Sequence, residues 1–498
     1  MLLRILRRLA VPGAWLAAAI FALHPIQVES VAWMTELKNT LSGLLCLGSV
    51  AAYLRFDESR SRRWWFLAGA LFALGLTAKT AIATLSAALA VLLWWRHGTL
   101  SWKRDLWPLA PLFALGLLAG LFTAHLERSL FGAQGGEFNF SFLERCLIAG
   151  HSLCFQLGKL FWPAHLAFMY PRWDIRPSAG WQYLYPGTVL LALAGCWGLR
   201  GGSRGPLAAL LWFAGLLFPA LGFFNAYSFR YSFVNDHHQY LACLGPIVLA
   251  AAVLARLLTR WGWWGRAPGY GVCLGLLGTL AALTWQQSGM YTDMETLWRT
   301  TLARNPTCWM AHNNLGAALG EQGLIDQAVG QFEESIRLNP DNAEAHDSLG
   351  IALGKKGQTD EAIRQFKEAI RLEPGFPDSH NNLGVALAAK GQTDEAIRQY
   401  LEALRLKPDY AEAHNNLGAA LGKTGQINDA IRQYQETLRL NPDAAEAHYN
   451  LGVTLAAKGQ TDEAIRQFQE ALRLKPDFAQ ARDDLARALR TNTAPAGR

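Results

Sequence analysis

The chain lacks cysteines at metal-binding or disulfide-framework spacing. Its 498 residues include seven cysteines, Cys46, Cys146, Cys154, Cys196, Cys243, Cys273 and Cys308, scattered mostly inside apolar runs. There is no CxxC and no Cys/His pair at ligand spacing, so no metal site is expected and the thiols read as small buried hydrophobes. Charge is also scarce, at 17% of residues against 51% hydrophobic. That is too apolar for an average soluble chain and too polar for one buried in lipid throughout. Up to residue 300 there are 24 Lys and Arg against 12 Asp and Glu; beyond it there are 22 against 27. The positive charge of the first part sits in short clusters between apolar runs rather than in a stripe, which excludes a nucleic-acid partner and points to a lipid bilayer.

The apolar runs of the first 286 residues approach the roughly 20 residues that a bilayer core needs. Nine spans are expected, at 9–24, 39–55, 64–79, 81–95, 107–124, 183–199, 206–224, 240–258 and 270–286. The first has the basic start and Ala-rich centre of a signal peptide, but the eight that follow make a multi-pass protein in either case. Arg4, Arg7 and Arg8 precede the first span. Every second loop after it is basic: Arg55, Arg60, Arg62 and Arg63; then Arg96, Lys103 and Arg104; then Arg200 and Arg204; then Arg256, Arg260 and Arg266. Since cytoplasmic loops collect Lys and Arg, the N-terminus is expected inside and the C-terminal part outside the cytoplasm, periplasmic in a bacterium. The run from Phe142 to Trp162 carries Arg145, Ser152, Gln156 and Lys159 near helical spacing and would put the loops out of phase if it crossed. It reads as an amphipathic helix on the outer surface.

Beyond residue 300 the sequence repeats every 34 residues. Pro306, Pro340, Pro374, Pro408, Pro442 and Pro476 mark the period, as do the Leu-Gly pairs beginning at Leu315, Leu349, Leu383, Leu417 and Leu451. With Ala328, Phe332 and their equivalents, this resembles the tetratricopeptide repeat. Gly316 and Ala328 allow paired helices to approach, Phe332 fills the space between them, Gly323 opens the turn and Pro340 ends the second helix. The expected organisation is a membrane domain at 1–290, a connecting helix at 291–308, five repeats at 309–478, and a capping helix with a tail at 479–498. The fold class is all-α, a polytopic helix bundle followed by an α-solenoid.

In such a solenoid the first helices line the concave face. Asn314, Asn382, Asn416 and Asn450, with Ser348 in the second repeat, form a column there. An amide ladder of this kind can hold the backbone of an extended peptide, and it resembles the asparagine ladder of O-linked N-acetylglucosamine transferases. Recent duplication would equally copy Asn from repeat to repeat, and both readings stand. The neighbouring columns, Asn313, Asp347, Asn381, Asn415 and Tyr449, and Ala317, Ile351, Val385, Ala419 and Val453, leave out a Lys/Asn carboxylate clamp. His312, His346, His380, His414 and His448 lie a whole repeat apart, which favours packing over metal binding.

Taken together, HPIQVESVAWMTELKNTLSGLL, AKTAIATLSAALAVLLWW, KLFWPAHLAFMYP, VNDHHQYLACLGP and WQQSGMYTDMETLWRTTLARNPTCWMAHNNLG are similar in order and content to the transmembrane and tetratricopeptide-repeat O-mannosyltransferases and their bacterial relatives. The resemblance implies a C-type glycosyltransferase membrane fold and a polyprenyl-phosphate-linked sugar as donor substrate, with no tightly bound cofactor. It also implies transfer to Ser or Thr of extracytoplasmic acceptor proteins presented by the repeats. The chain begins at the span before HPIQVES, so the first span and acidic catalytic loop of those relatives are missing from it, and an acidic outer loop upstream of Met1 in the native product is what would separate a transferase from a scaffold. Within this sequence the resemblance makes Asp236 and Glu29 the candidate catalytic carboxylates. Asp236 stands where the family has Asp-Arg-Tyr, with His237 replacing the Arg; Lys79, Arg230 and His237 are the candidate phosphate ligands. The alternative, in a different functional class, is a catalytically inactive membrane-anchored scaffold for protein interaction.

Overall fold

A computed structural model describes residues 1–33, 36–130, 135 and 138–493. Positions 494–498 of the expected tail lie outside the described residues. Every regular element among the described residues is helical, and the chain divides into two compact units, Met1–Cys308 and Trp309–Arg498.

In the first unit the apolar runs form helices, several of them shorter than a full bilayer crossing. Among the described residues two are long and apolar enough to span, Trp102–Ser129 with 28 residues and Ala267–Tyr291 with 25. A third crossing is added if Ala14–Leu23 and Pro25–Ala32, bent by 52° at the His24-Pro25 break, act as one. Leu37–Ser59 has the length, with 23 residues, but carries Lys38, Arg55, Asp57 and Glu58. Arg62–Ala78 and Leu244–Arg260 have 17 residues each, and Leu85–His97 and Gly205–Leu217 have 13. At about 1.5 Å per residue, 17 residues reach about 26 Å and 13 about 20 Å, short of a hydrocarbon core of about 30 Å.

The two largest apolar clusters among the described residues of this unit lie around Tyr53, Leu54, Phe72, Leu89 and Phe213 and around Leu16, Ile26, Ile247 and Cys273. Small residues set the closest approaches. A Cβ on Gly116 would lie 2.2 Å from the Ala83 carbonyl oxygen, and one on Gly245 would lie 2.5 Å from that of Ala209. Helices bring backbones this close only where the side chain is a hydrogen. Phe142–Phe161 begins with a capping box, Ser141 Oγ accepting from Glu144 N and Glu144 Oε2 accepting from Ser141 N.

The second unit is five helix pairs and a final helix. First helices run Trp309–Glu321, Ala343–Lys355, Pro377–Ala389, Ala411–Lys423 and Ala445–Ala457. Second helices run Ile325–Leu338, Thr359–Leu372, Thr393–Leu406, Ile427–Leu440 and Thr461–Leu474, and Ala479–Thr493 follows. The turn glycines, from Gly323 (φ 80°) to Gly459 (φ 81°), sit in the left-handed region that costs other residues about 1 kcal/mol. Each second helix ends two residues before its proline because the residue preceding proline is driven to extended backbone, as at Asn339 (φ −141°, ψ 89°). A Cβ on Gly316, Gly350, Gly384, Gly418 or Gly452 would come within 2.5–2.8 Å of the aromatic ring of its own second helix. This is the close pairing that the Gly and Phe spacing implied.

Candidate functional site

In the membrane-like unit, the break after Leu23 turns a short apolar helix into a polar bend. His24 Nε2–H donates to the Leu160 carbonyl at 2.8 Å, while His24 Nδ1 accepts from Ile26 N, closing the first turn of Pro25–Gln27. This presents Glu29, 3% exposed, to the 3-10 turn Asp236–Gln239. Glu29 Oε1 lies 2.6 Å from His237 Nδ1, and Glu29 Oε2 accepts from the His237 backbone N–H. Burial, reinforced by the Lys79 ammonium, holds the His237 imidazole below its ordinary value. A carboxylate on one ring nitrogen fixes the tautomer and orientation of the other, the arrangement of an oriented general base.

Asp236, one residue earlier, is buried and accepts from Tyr170 Oη at 2.9 Å. Burial first, then the nearby Glu29 charge, pushes its carboxyl well above the ordinary Asp range. Lys79 is held by Glu36 Oε2 at 3.5 Å and by the Asn39 side-chain oxygen, and Asn39 Nδ2 donates back to Glu36 Oε2 at 2.6 Å. Asn39, Lys79, His237 and His238 line a cavity of about 30 Å³, room for one or two waters. Five buried polar atoms in this layer have no hydrogen-bond partner among the described residues: Gln27 Oε1, Asn235 Oδ1, His238 Nδ1 and both amide atoms of Gln239. Arg230, at the end of the turn Tyr227–Arg230, is half-buried.

Of the residues singled out in the sequence, Glu29, Asp236 and His237 meet directly or through adjacent backbone, and Lys79, paired with Glu36, lines the same cavity as His237. Glu36 and Asn39 as the partners of Lys79 were not foreseen. Their spacing, with Asn39 one turn beyond Glu36 at the start of Leu37–Ser59, was the available signal. Also unforeseen is the triplet Asp57, His97 and Asp105, whose ligand atoms lie within 4.8 Å of one another. Arg60 and Arg96 bond Asp57 at 2.7 and 3.1 Å, and Arg104 lies 2.8 Å from His97 Nε2. The triplet is therefore an ion-pair knot in which arginines take the place a metal would need.

In the second unit the asparagine column turns inward on the solenoid itself. Asn416 Nδ2 donates to Asn381 Oδ1 at 3.0 Å, Asn450 Nδ2 to Asn415 Oδ1 at 3.2 Å, and Asn382 Nδ2 to Asp347 Oδ2 at 3.1 Å. Tyr449 Oη donates to Asp484 Oδ2 at 3.0 Å across the last joint. Each bond spans 35 residues and links one first helix to the next. Ser379 Oγ also donates to Asp347, and burial raises the Asp347 carboxyl above the ordinary Asp value. At the first joint Ser348 replaces Asn, and Asn313 Oδ1 is buried with no hydrogen-bond partner among the described residues. Ile351, Val385 and Val453, one turn beyond the column, are exposed. The histidines brace each repeat: Nδ1 of His346, His380, His414 and His448 lies 2.6–2.8 Å from the Oε1 of Gln365, Gln399, Gln433 and Gln467. Their Nε2 atoms lie 3.1–3.2 Å from the carbonyls of Pro340, Pro374, Pro408 and Pro442.

These features define the second unit as a tetratricopeptide-repeat solenoid in an all-α chain. Family models described as TPR repeat match residues 352–391 and 386–425, and models described as tetratricopeptide repeat match 286–343, 332–364 and 415–477. Among solved structures the chain is similar to YrrB, a TPR protein with an unusual peptide-binding site, at 24% identity over 38% of this chain and 96% of that one, with a TM-score of 0.32. It is also similar to TTC0263, a thermophilic TPR protein of Thermus thermophilus, at 26% identity over 36% and 98%, with a TM-score of 0.32. A third is MamA from Desulfovibrio magneticus, at 22% over 34% and 96%, again with a TM-score of 0.32. No curated protein matches the chain.

Proposed function

We propose that this is a membrane-anchored scaffold whose repeats recruit partner proteins outside the cytoplasm by binding extended segments along the first helices. One observation carries the reading. The asparagine amides are committed to the neighbouring repeat, while Ile351, Val385 and Val453 stand exposed beside them. The column therefore fixes the curvature of the groove, and the apolar stripe takes side chains of the bound segment at roughly one-repeat intervals. The nine apolar runs embed the first unit as a polytopic bundle, the shorter helices crossing with the help of flanking anchors and local thinning of the bilayer.

The test is capture of extracytoplasmic proteins by the full chain in detergent, compared with Ile351→Glu/Val385→Glu. Loss of the captured set at unchanged helical content supports the scaffold; an unchanged set refutes it. Membrane orientation is read by labelling cysteines placed at Ser178 and Ser203 with an impermeant reagent in sealed vesicles. Opposite sidedness is expected, and labelling of both from one side rejects the topology.

The second reading is the transferase, and the buried layer of Glu29, His237, Asp236 and Lys79 with its five unpartnered polar atoms favours it, since ionisable groups gathered in a membrane unit are functional candidates. In that reading His237, oriented by Glu29, takes the proton of an acceptor Ser or Thr, and Lys79 turns from Glu36 to the phosphate of a polyprenyl-phosphate sugar. The cavity of about 30 Å³ is far below the several hundred Å³ of a small-molecule pocket, so turnover requires the layer to open. Sugar transfer from a polyprenyl-phosphate donor to an acceptor peptide by the purified chain, abolished by His237→Ala, is the measurement that puts this reading ahead of the scaffold.

A further inference from the structure

A second charged region lies at the start of Trp102–Ser129, one of the two helices among the described residues that are long and apolar enough to cross a membrane. A groove of about 700 Å³ opens there, lined by Arg60, Arg62, Lys103 and Arg104 together with Phe66 and Trp107. The local carboxylates are already engaged. Asp57 is held by Arg60, Arg96 and His97, and Asp105 accepts from Ser101 N at 2.8 Å and lies 3.3 Å from His97 Nδ1 and 3.5 Å from Arg104 Nε. Arg62 and Lys103 are exposed and have no counter-ion among the described residues. Arg60 is aimed by its Nη1–H, which donates to the Arg104 carbonyl at 2.9 Å. The 17-residue helix Arg62–Ala78 also begins at this groove and has no side-chain cap on its first N–H groups, so its partial positive charge adds to the cations. Phe66 and Trp107, 64% and 66% exposed, continue the wall along the apolar helices.

We propose that this groove binds the phosphodiester headgroup of an anionic phospholipid, with Arg62, Lys103 and Arg104 around the phosphate and Phe66 and Trp107 against the upper acyl chain. The occupant is a lipid rather than a free anion because the groove is amphipathic along its length and sits at the end of a candidate span. A cationic rim above exposed aromatic rings matches the order of headgroup and hydrocarbon at an interface. The site lies on the face of the basic loops and is separate from the Glu29–His237 layer. It rests on the membrane reading above but not on either function.

The test uses the full chain purified in detergent and observed by native mass spectrometry while phosphatidylglycerol or phosphatidylcholine of matched acyl chains is added. Each cation near an anionic headgroup contributes roughly fivefold in affinity, so Arg62→Gln/Lys103→Gln/Arg104→Gln should weaken phosphatidylglycerol binding about 100-fold and leave phosphatidylcholine unchanged. The charge-conserving set Arg62→Lys/Lys103→Arg/Arg104→Lys should retain binding, which separates lost charge from lost fold. Equal binding of the two lipids, retention by the neutral variant, or displacement of phosphatidylglycerol by equimolar inorganic phosphate each overturns the proposal. Flotation of the expressed chain with vesicles distinguishes the failures. A chain that floats yet binds both lipids alike loses only this site, and one that does not float loses the membrane reading with it.

Discussion

Replacing Ser348 with Asn should stabilise the first joint of the solenoid. At the next three joints an amide N–H crosses 35 residues to an oxygen of the preceding first helix, at 3.1, 3.0 and 3.2 Å. Position 348 stands in that relation to Asn313, whose Oδ1 is buried with no partner among the described residues. A serine hydroxyl ends one bond nearer the backbone than an asparagine amide and does not bridge the gap. A hydrogen bond that relieves a buried orphan acceptor contributes about 1–3 kcal/mol. Ordering the new side chain costs up to about 1 kcal/mol, so a gain of about 1–2 kcal/mol remains. Because repeat stability is a sum of unit and joint contributions, the gain falls on the first two repeats. Hydrogen exchange of the full chain, read by mass spectrometry, should show amides in Trp309–Glu321 and Ala343–Lys355 exchanging roughly 5 to 30 times more slowly. In the Asn313→Ala background the same substitution should gain nothing. Unchanged exchange after Ser348→Asn, or an equal gain in both backgrounds, refutes the amide-column argument.

Gly384→Ala should destabilise the third repeat by about 1–3 kcal/mol, because its Cβ would lie 2.5 Å from Tyr400 Cε1; denaturant unfolding measures it. Asp347→Asn should change the pH dependence of the repeats. A carboxyl raised above its unfolded value stabilises fully below about pH 3.9 and loses that contribution as pH rises through the raised value, so the variant should gain stability at neutral pH relative to wild type and titrate less. Equal slopes of stability against pH in the two proteins would exclude this. Glu29→Ala leaves His237 Nδ1 and its backbone N–H buried without their shared acceptor, and a loss of about 3–5 kcal/mol is expected in thermal unfolding of the detergent-solubilised chain.

The repeats were legible because a helix pair of 34 residues states its own geometry. Gly316 and Phe332 touch within one repeat, and the positive φ of Gly323 is a local demand. The joints were not, since the bond from Asn416 to Asn381 exists only once neighbouring units stack, and the sequence shows the column but not which way its amides face. In the first unit the apolar runs marked where helices lie, including Phe142–Phe161 with its polar face. Their lengths were less legible, because breaks such as Thr80–Thr84 and Phe218–Ala220 divide runs that are continuous in hydropathy. Glu29 and His237 are 208 residues apart; residue type and family resemblance singled out each, but their pairing depends on the tertiary fold.

The histidine braces carry a mechanical consequence. Each ring ties the loop before its repeat, the first helix and the second helix into one triangle, so a repeat resists internal shear and behaves as a rigid vertebra. Compliance is then confined to the joints, where a single amide bond per pair acts as the ligament. At the first joint no such amide bond links Asn313 and Ser348, and the exposed Lys356–Asp326 ion pair at 2.7 Å is a weaker tie, so the spine bends most easily between its first and second vertebrae. The remaining four repeats and the final helix therefore swing as one arm, and a bound segment stretched across all five would be felt as tension at that one joint.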